Sequence, residues 1–580
     1  MVPRFVIRFL LLLCLIAVSI SSAPLIAAEI PARQPIQEVR ATGGMVVSDS
    51  EIASRVGRDV LADGGNAVDA AVATAFALAV TWPEAGNIGG GGFMMIHRGA
   101  GRAPVCVDYR ETAPLAATEN MFATDNSRYK CKAVGVPGTV RGLALAHQQF
   151  GKLEWKRLVM PAAGLAERGF AVNPWLAHSA NGVLDEASVR ARKRFAELRR
   201  VYGRPDGRAW EVGDTMVLPD LAKTLRIIAE EGADAFYQGQ IADQLVAQMQ
   251  QGNGIITKED LAAYQAKLRE PIRGTYRDYE LFGPPPPSSG GVCVVEAMNI
   301  LETFKLREHP HFGSRNMHLV TEAMRRAFCD RARHLADPDF GDIPPHLTTK
   351  AYAAELASKI EVDRATDSEA LAPEIALAPE SPDTTHFSVI DRDGMAVSNT
   401  YTLEASWGSR IVVTGAGFVL NNEMGDFNWE RGVTNRAGQI GTVPNLIQPG
   451  KRMISSQSPF IVARDGNAFL VTGSPGGRTI INTVLGNLLN VLEFEMTLAE
   501  AVDAPRMHHQ WFPDELRFEG AEADEHAAAV EQLRALGHTV LHRARQGSAH
   551  SIQVDPETGQ FIGVADWRRG GAAAGWSLDD

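Results

Sequence analysis

The chain has 580 residues, 45% hydrophobic and 22% charged, with a formal net charge of −12 from 57 basic and 69 acidic side chains. That balance excludes a disordered chain, a Cys-dense scaffold and, with 54 Gly and 31 Pro in no strict period, a collagen-like one. The acidic excess gives no general attraction to nucleic acid or anionic lipid, and the length suits a globular enzyme of a few units or one large layered domain.

Arg4 and Arg8 precede the apolar run Phe9 to Val18, and small residues follow. This reads as a signal peptide over 1–28, cut between Ala28 and Glu29, so the mature chain is expected to be exported, to the periplasm or outside the cell. An uncleaved anchor is the alternative, but the run is short for a membrane span and no later stretch is long and apolar enough. Cys14 leaves with this segment. Cys106, Cys131, Cys293 and Cys329 are widely spaced and read as buried small hydrophobes, although an oxidising compartment permits a bridge. No HExxH, paired CxxC or EF-hand spacing supports a metal site.

From Glu51 to about residue 360 the pattern is mainly helical. Asn66 is a good N-cap, with Asp69 in the first turn of a run from Ala67 to Val80 that is apolar on every side and therefore predicts a buried helix. Thr257 to Asp260 reads as a capping box. Arg190 to Arg200 holds six basic residues beside Glu197, which suits a solvated helix face better than a nucleic-acid site. Glu361 to Asp383, with Pro373, Pro379 and Pro382, reads as an exposed linker. Hairpins follow: Thr384–Ile390 returning at Met395–Thr402, then Phe460–Thr472 and Ser551–Val564. Ile481, Val484, Leu485, Leu488, Leu489 and Leu492 mark an amphipathic helix between the last two. Hairpins with long helices predict a layered α+β core.

The join at Asp383–Thr384 suggests internal cleavage. The Thr384 hydroxyl attacks the Asp383 carbonyl, an N-to-O shift gives an ester, and water releases an N-terminal Thr whose own amine serves as base. Ordinary β-propensity is the plainer reading of two threonines there. Val471 to Arg478 is a strand, a glycine turn and a helix start, suited to an oxyanion or to nothing but a turn. Ser455-Ser456 lies at a strand start, Leu420 to Phe427 is a turn with two carboxylates, and Arg110 ends a short strand in a way that suits bidentate carboxylate recognition. Each also reads as a plain surface salt bridge.

Together these segments closely resemble the γ-glutamyltranspeptidases, exported N-terminal-nucleophile enzymes. The resemblance rests on Gly64 to Ala71, Gly86 to Phe93, Asp108 to Glu111, Pro286 to Gly291, Thr384 to Val389, Asn421 to Met424, Ser455-Ser456, Gly473 to Gly477 and His508 to Trp511, in the family's order. It implies a four-layer αββα sandwich without cofactor or metal. The precursor would be cut into a large subunit, 29–383, and a small one, 384–580, which form one core as a heterodimer. It further implies Thr384 as nucleophile, Thr402 as its hydrogen-bonding aid, and Gly476 and Gly477 as oxyanion donors. Arg110, Ser455 and Ser456 would grip the α-carboxylate of a γ-glutamyl group, and Asp426, Glu404 and Glu423 its ammonium. Glutathione is the implied donor, with water, amino acids or dipeptides as acceptors. On the lid loop where some members carry an aromatic residue, Phe427 to Gly441 has no Tyr; Ala437 stands near the place and Trp429 is the nearest substitute. A glutaryl-type acylase of the same architecture has less need of three ammonium-binding carboxylates, and a non-catalytic binding protein would have lost Thr384 or Thr402.

Overall fold

The computed structural model describes residues 31–124, 127–185, 189–372, 384–435 and 439–577. The expected signal peptide, Asp383, Pro373, Pro379, Pro382 and Ala437 lie outside them. No helix among the described residues is long and apolar enough to cross a membrane.

Two seven-stranded sheets make the centre. The first runs, in spatial order, Glu38–Ala41, Phe561–Val564, Ser551–Val554, Asn467–Thr472, Phe460–Arg464, Tyr279–Gly283 and Ile272–Tyr276. The second runs Ala572–Trp576, Gly44–Ser48, Thr385–Asp391, Met395–Thr402, Gly91–Arg98, Val105–Asp108 and Lys267–Arg269. Period-2 patterning builds the layers. Met45, Val47, Ile390, Ile461 and Val471 meet between the sheets. Their neighbours Val46, Val389 and Val397 face the helices from Glu51 to Ala263, and Phe460, Val462 and Leu470 face those at Gly290–Glu302, Ser314–His334 and Thr479–Leu492. The result is a layered α+β core, as the pattern predicts, and it is the αββα sandwich that the resemblance implied.

Local expectations hold where the signal is dense. Ala67–Thr81 is a helix buried throughout, and Asn66 and Asp69 form a reciprocal capping box. Thr257 and Asp260 do the same at Lys258–Ala263. All three hairpins form, and the apolar stripe after residue 480 lies on Thr479–Leu492. Cys106, Cys131, Cys293 and Cys329 are buried and form no disulfide with one another. Arg192, Lys193 and Arg194 are exposed, as a solvated face requires.

Two expectations change. The region from Glu51 to 360 is not purely helical, since it supplies five strands to the two sheets. The described part of the linker, 361–372, carries structure: a short helix, Ser368–Leu371, is held where Ser368 N–H donates to Asp514 (3.1 Å) and its carbonyl accepts from Trp511 Nε1 (2.8 Å). Burial of one serine between distant partners overrides a composition that reads as exposed.

Candidate active site

The strands Thr385–Asp391 and Met395–Thr402 pair antiparallel from Thr385 opposite Tyr401 to Ile390 opposite Ala396. Asp391 Oδ1 closes the turn by accepting from the N–H groups of Asp393 and Met395, both at 3.0 Å. One further step in the register sets Thr384 opposite Thr402 at the open end, and both are buried, 4% and 3% exposed. The Thr402 hydroxyl accepts from Glu404 N–H at 2.9 Å, and Glu404 sits at φ +81°, a conformation that non-glycine residues adopt only under constraint. The glycine run before Phe93 explains itself here. A Cβ on Gly90 would stand 2.0 Å from the Thr402 carbonyl oxygen, so only glycine lets that strand reach the hairpin end.

Beside the hairpin, the strand Asn467–Thr472 leads into the glycine turn. Ser398 Oγ donates to the Thr472 carbonyl at 2.8 Å, tying the turn's base to the hairpin. Gly476 and Gly477 have φ of +130° and +60°, and the helix Thr479–Leu492 begins directly after them. Gly473 covers the His386 ring, where a Cβ would approach to 2.3 Å. Burial, then His550, pushes His386 far below the usual imidazole range and keeps it neutral.

The charged residues converge on one buried cluster. Arg110, fully buried, pairs with Glu423 (2.7 Å) and Asp426 (2.5 Å), and its guanidinium donates to the carbonyls of Met453 (3.4 Å) and Ile454 (3.2 Å). Glu404 is held by Arg128 and Asn422. Burial opposes charge on Arg110, but Glu423, Glu111 and Asp426 outweigh it and raise its pKa. Burial raises Glu111 to about 8 against the pull of Arg110, and Glu404 to about 7 against that of Arg128. Glu423 is pushed up strongly by burial and by its carboxylate neighbours. The sequence reading set the cation and the carboxylates at opposite ends of a bound amino acid; here they touch.

Ser455 and Ser456 abut this cluster through the 453–456 segment. Ser455 Oγ accepts from Gln457 N–H (3.1 Å), and the Ser455 carbonyl accepts from Ser289 N–H (2.8 Å) and Oγ (2.6 Å). Ser456 Oγ accepts from Arg331 Nη2 at 3.1 Å, and Arg331 Nε donates to Ser289 Oγ at 2.9 Å. Glu111, Arg128, Asn422 and Arg331 join these contacts although pattern reasoning did not name them as candidates. Glu111 and Asn422 sit inside motifs already singled out; Arg128 and Arg331 have no local signal.

The described residues contain one grouping of metal-ligand type, His318, Glu322 and His538. Its donors are already spent. Glu322 takes Arg325, Arg326 and Thr366 N–H, and the two imidazoles bond each other at 2.8 Å.

A family model described as Gamma-glutamyltranspeptidase matches residues 53–576. The chain belongs to the γ-glutamyltranspeptidase family. Within that family it is 44% identical over 538 residues to the glutathione hydrolase proenzyme of Escherichia coli K12, covering 91% of each chain. The γ-glutamyltranspeptidase of Helicobacter pylori matches at 41% identity and TM-score 0.51, over 55% of this chain and 91% of that one. The cephalosporin acylase of Bacillus halodurans matches at 28% identity and TM-score 0.81, over 94% of this chain and 98% of that one.

Proposed function

We propose that this chain is a γ-glutamyltransferase and glutathione hydrolase that matures by cutting itself before Thr384. The observation that carries the reading is the buried open end of the hairpin, where Thr384 precedes Thr385 and Thr402 follows its partner Tyr401. In the precursor the Thr384 hydroxyl attacks the Asp383 carbonyl, and the resulting ester is hydrolysed to leave Thr384 with a free amine. Residues 29–383 and 384–580 then stay together as a heterodimer, because both sheets take strands from each side of the cut.

In turnover the amine accepts the hydroxyl proton as the Thr384 oxygen adds to the γ-carbonyl. Gly476 and Gly477 face the developing oxyanion, and the proton passes to the departing amine. The γ-glutamyl ester is then cleaved by water or by the amine of an amino acid or dipeptide. A donor's α-carboxylate takes Arg110 with Ser455 and Ser456, and its ammonium takes Asp426, Glu404 and Glu423, so the internal pairs of Arg110 with Glu423 and Asp426 are exchanged for pairs with the donor and the γ-carbonyl is aimed at Thr384. Export to the periplasm or beyond belongs to the same proposal, from the expected signal at 1–28.

Denatured intact mass tests maturation. Scaling 62.7 kDa by length gives two chains of about 38 and 21 kDa, the smaller beginning at Thr384. A single chain of about 60 kDa would leave the non-catalytic binding reading in front.

The likeness to a cephalosporin acylase supports a second reading, a glutaryl-type amidase. Asp426→Ala separates them. γ-Glutamyl substrates should lose about tenfold or more in kcat/KM while glutaryl ones change little, since only the former carry the ammonium. Equal losses would make Asp426 structural. The pH dependence is a further check: with Glu404 near 7, the carboxylate that grips the ammonium fills in as pH rises. Donor KM should therefore fall by about tenfold between pH 6 and 8, whereas a flat profile removes Glu404 from the contact.

A further inference from the structure

Cutting before Thr384 creates a chain end at the point where the chemistry needs a fixed atom, and free ends fray unless something ties them down. The sheet ties only one side of it. Thr385 pairs with Tyr401 on the neighbouring strand, but on the other side the ladder to Gly44–Ser48 stops at Phe387 opposite Ser48. Thr385 and His386 therefore run past the end of that strand. The next residue along, Asp49, takes over with its side chain. Asp49 Oδ2 accepts from the Thr385 hydroxyl, and Oδ1 accepts from His550 Nε2 at 2.8 Å.

All three side chains are buried, at 1%, 0% and 0% exposed for Asp49, Thr385 and His550. The direction of each bond is set by its surroundings. His550 Nδ1 accepts the Asp566 N–H at 3.4 Å, which leaves the ring proton on Nε2 to donate to Asp49. The backbone around His550 is anchored in turn, because its carbonyl accepts from Ser388 Oγ at 2.8 Å, on the same strand as Thr385. Space is tight as well. A Cβ on Gly571 would meet His550 Cε1 at 2.9 Å and Asp49 Cα at 3.1 Å, so the carboxylate has little room to turn away. The Thr384 carbonyl has its own anchor in Arg569 Nη1, at 3.4 Å.

We infer that Asp49, oriented by His550, is a positioning residue for the Thr384 nucleophile: by fixing the Thr385 side chain it holds the preceding residue for the acyl shift and, once the chain is cut, for turnover. The contact joins 29–383 to 384–580 without passing through the severed bond, so it survives the cut. A buried carboxylate between a hydroxyl and an imidazole N–H is also a stronger tether than the missing ladder bond, since both of its hydrogen bonds are charge-assisted. This inference rests on the proposed Thr384 chemistry. The unmodified protein controls for that: if it is uncut, or inactive on a γ-glutamyl anilide, the chemistry fails whatever the variants do.

With the parent active, Thr385→Val and Asp49→Asn should each slow self-cleavage and lower kcat at least tenfold, with KM within twofold. Thr385→Ser, which keeps the hydroxyl, should restore kcat to within about threefold, and the Thr385→Val/Asp49→Asn double variant should fall no further than the worse single one. If Thr385→Val does not fold, the Asp49→Asn and Thr385→Ser pair carries the same comparison. Parental kcat in Asp49→Asn, losses in KM instead of kcat, a serine variant as poor as the valine one, or additive losses would overturn the assignment.

Discussion

Thr384→Ala is expected to give one uncut chain of about 60 kDa and a loss of turnover on the order of 10⁴-fold or more. The size follows from the double part the residue plays, its hydroxyl as nucleophile of both the acyl shift and turnover and its freed amine as the base. Thr384→Ser keeps both hydroxyl and amine and should still cut itself, which separates the chemistry from the packing of the residue. An alanine variant that is cut at the same bond would end the N-terminal nucleophile reading, because the acyl shift has no other oxygen to use.

The hairpin that carries Thr384 was legible because three signals agree within twenty residues: alternation, an Asp-Arg-Asp-Gly turn and β-branched ends. The helix at 67–81 was legible for the opposite reason, a run so apolar that only burial accommodates it. Strands such as Gly91–Arg98 and Ile272–Tyr276 were hidden. The first begins with two glycines needed for close approach to the hairpin, and the second mixes Arg and Gly at a sheet edge, so neither shows a clean period. In the 361–372 segment polar composition misled, since Ser368 is buried by partners almost 150 residues away.

For the site, motif order carried the residues but not their mutual contacts. Arg128 reaches Glu404 across 276 positions and lies 5.4 Å from the Trp429 ring, which itself stacks on Phe122 at 4.3 Å. Trp429, the nearest aromatic candidate for the lid position, is thus packed into the wall beside Glu404. No spacing rule links these four residues, because Phe122 and Arg128 come from one loop and Glu404 and Trp429 from two others far along the chain. The same holds for Arg331, on the helix Ser314–His334, whose guanidinium bridges Ser289 and Ser456.

Arg110→Ala should raise KM for γ-glutamyl donors about 10- to 150-fold, the equivalent of removing an ionic hydrogen-bond partner of 1.5–3 kcal/mol. The variant has a second signature that separates binding from folding. Arg110 is the cation that opposes the burial and the carboxylate neighbours raising Glu423 and Glu111, so without it both, already raised, hold their protons to still higher pH in the folded state. A group whose folded pKa stands above its unfolded value stabilises the fold at low pH and loses that contribution as pH rises through the folded pKa. For Glu111, already near 8 with Arg110 present, parent and variant lose the same contribution from about 4.5 to about 8 and diverge only above it. The Tm deficit of Arg110→Ala relative to the parent should therefore stay level from about pH 5.5 to 7 and widen as pH rises past about 8. Arg110→Lys restores a charge but not the planar fork, so it should recover most of the stability at pH 8.5 and little of the KM. An unchanged KM in Arg110→Ala would take the guanidinium out of the substrate pocket and leave it as the counter-ion of the buried carboxylates alone.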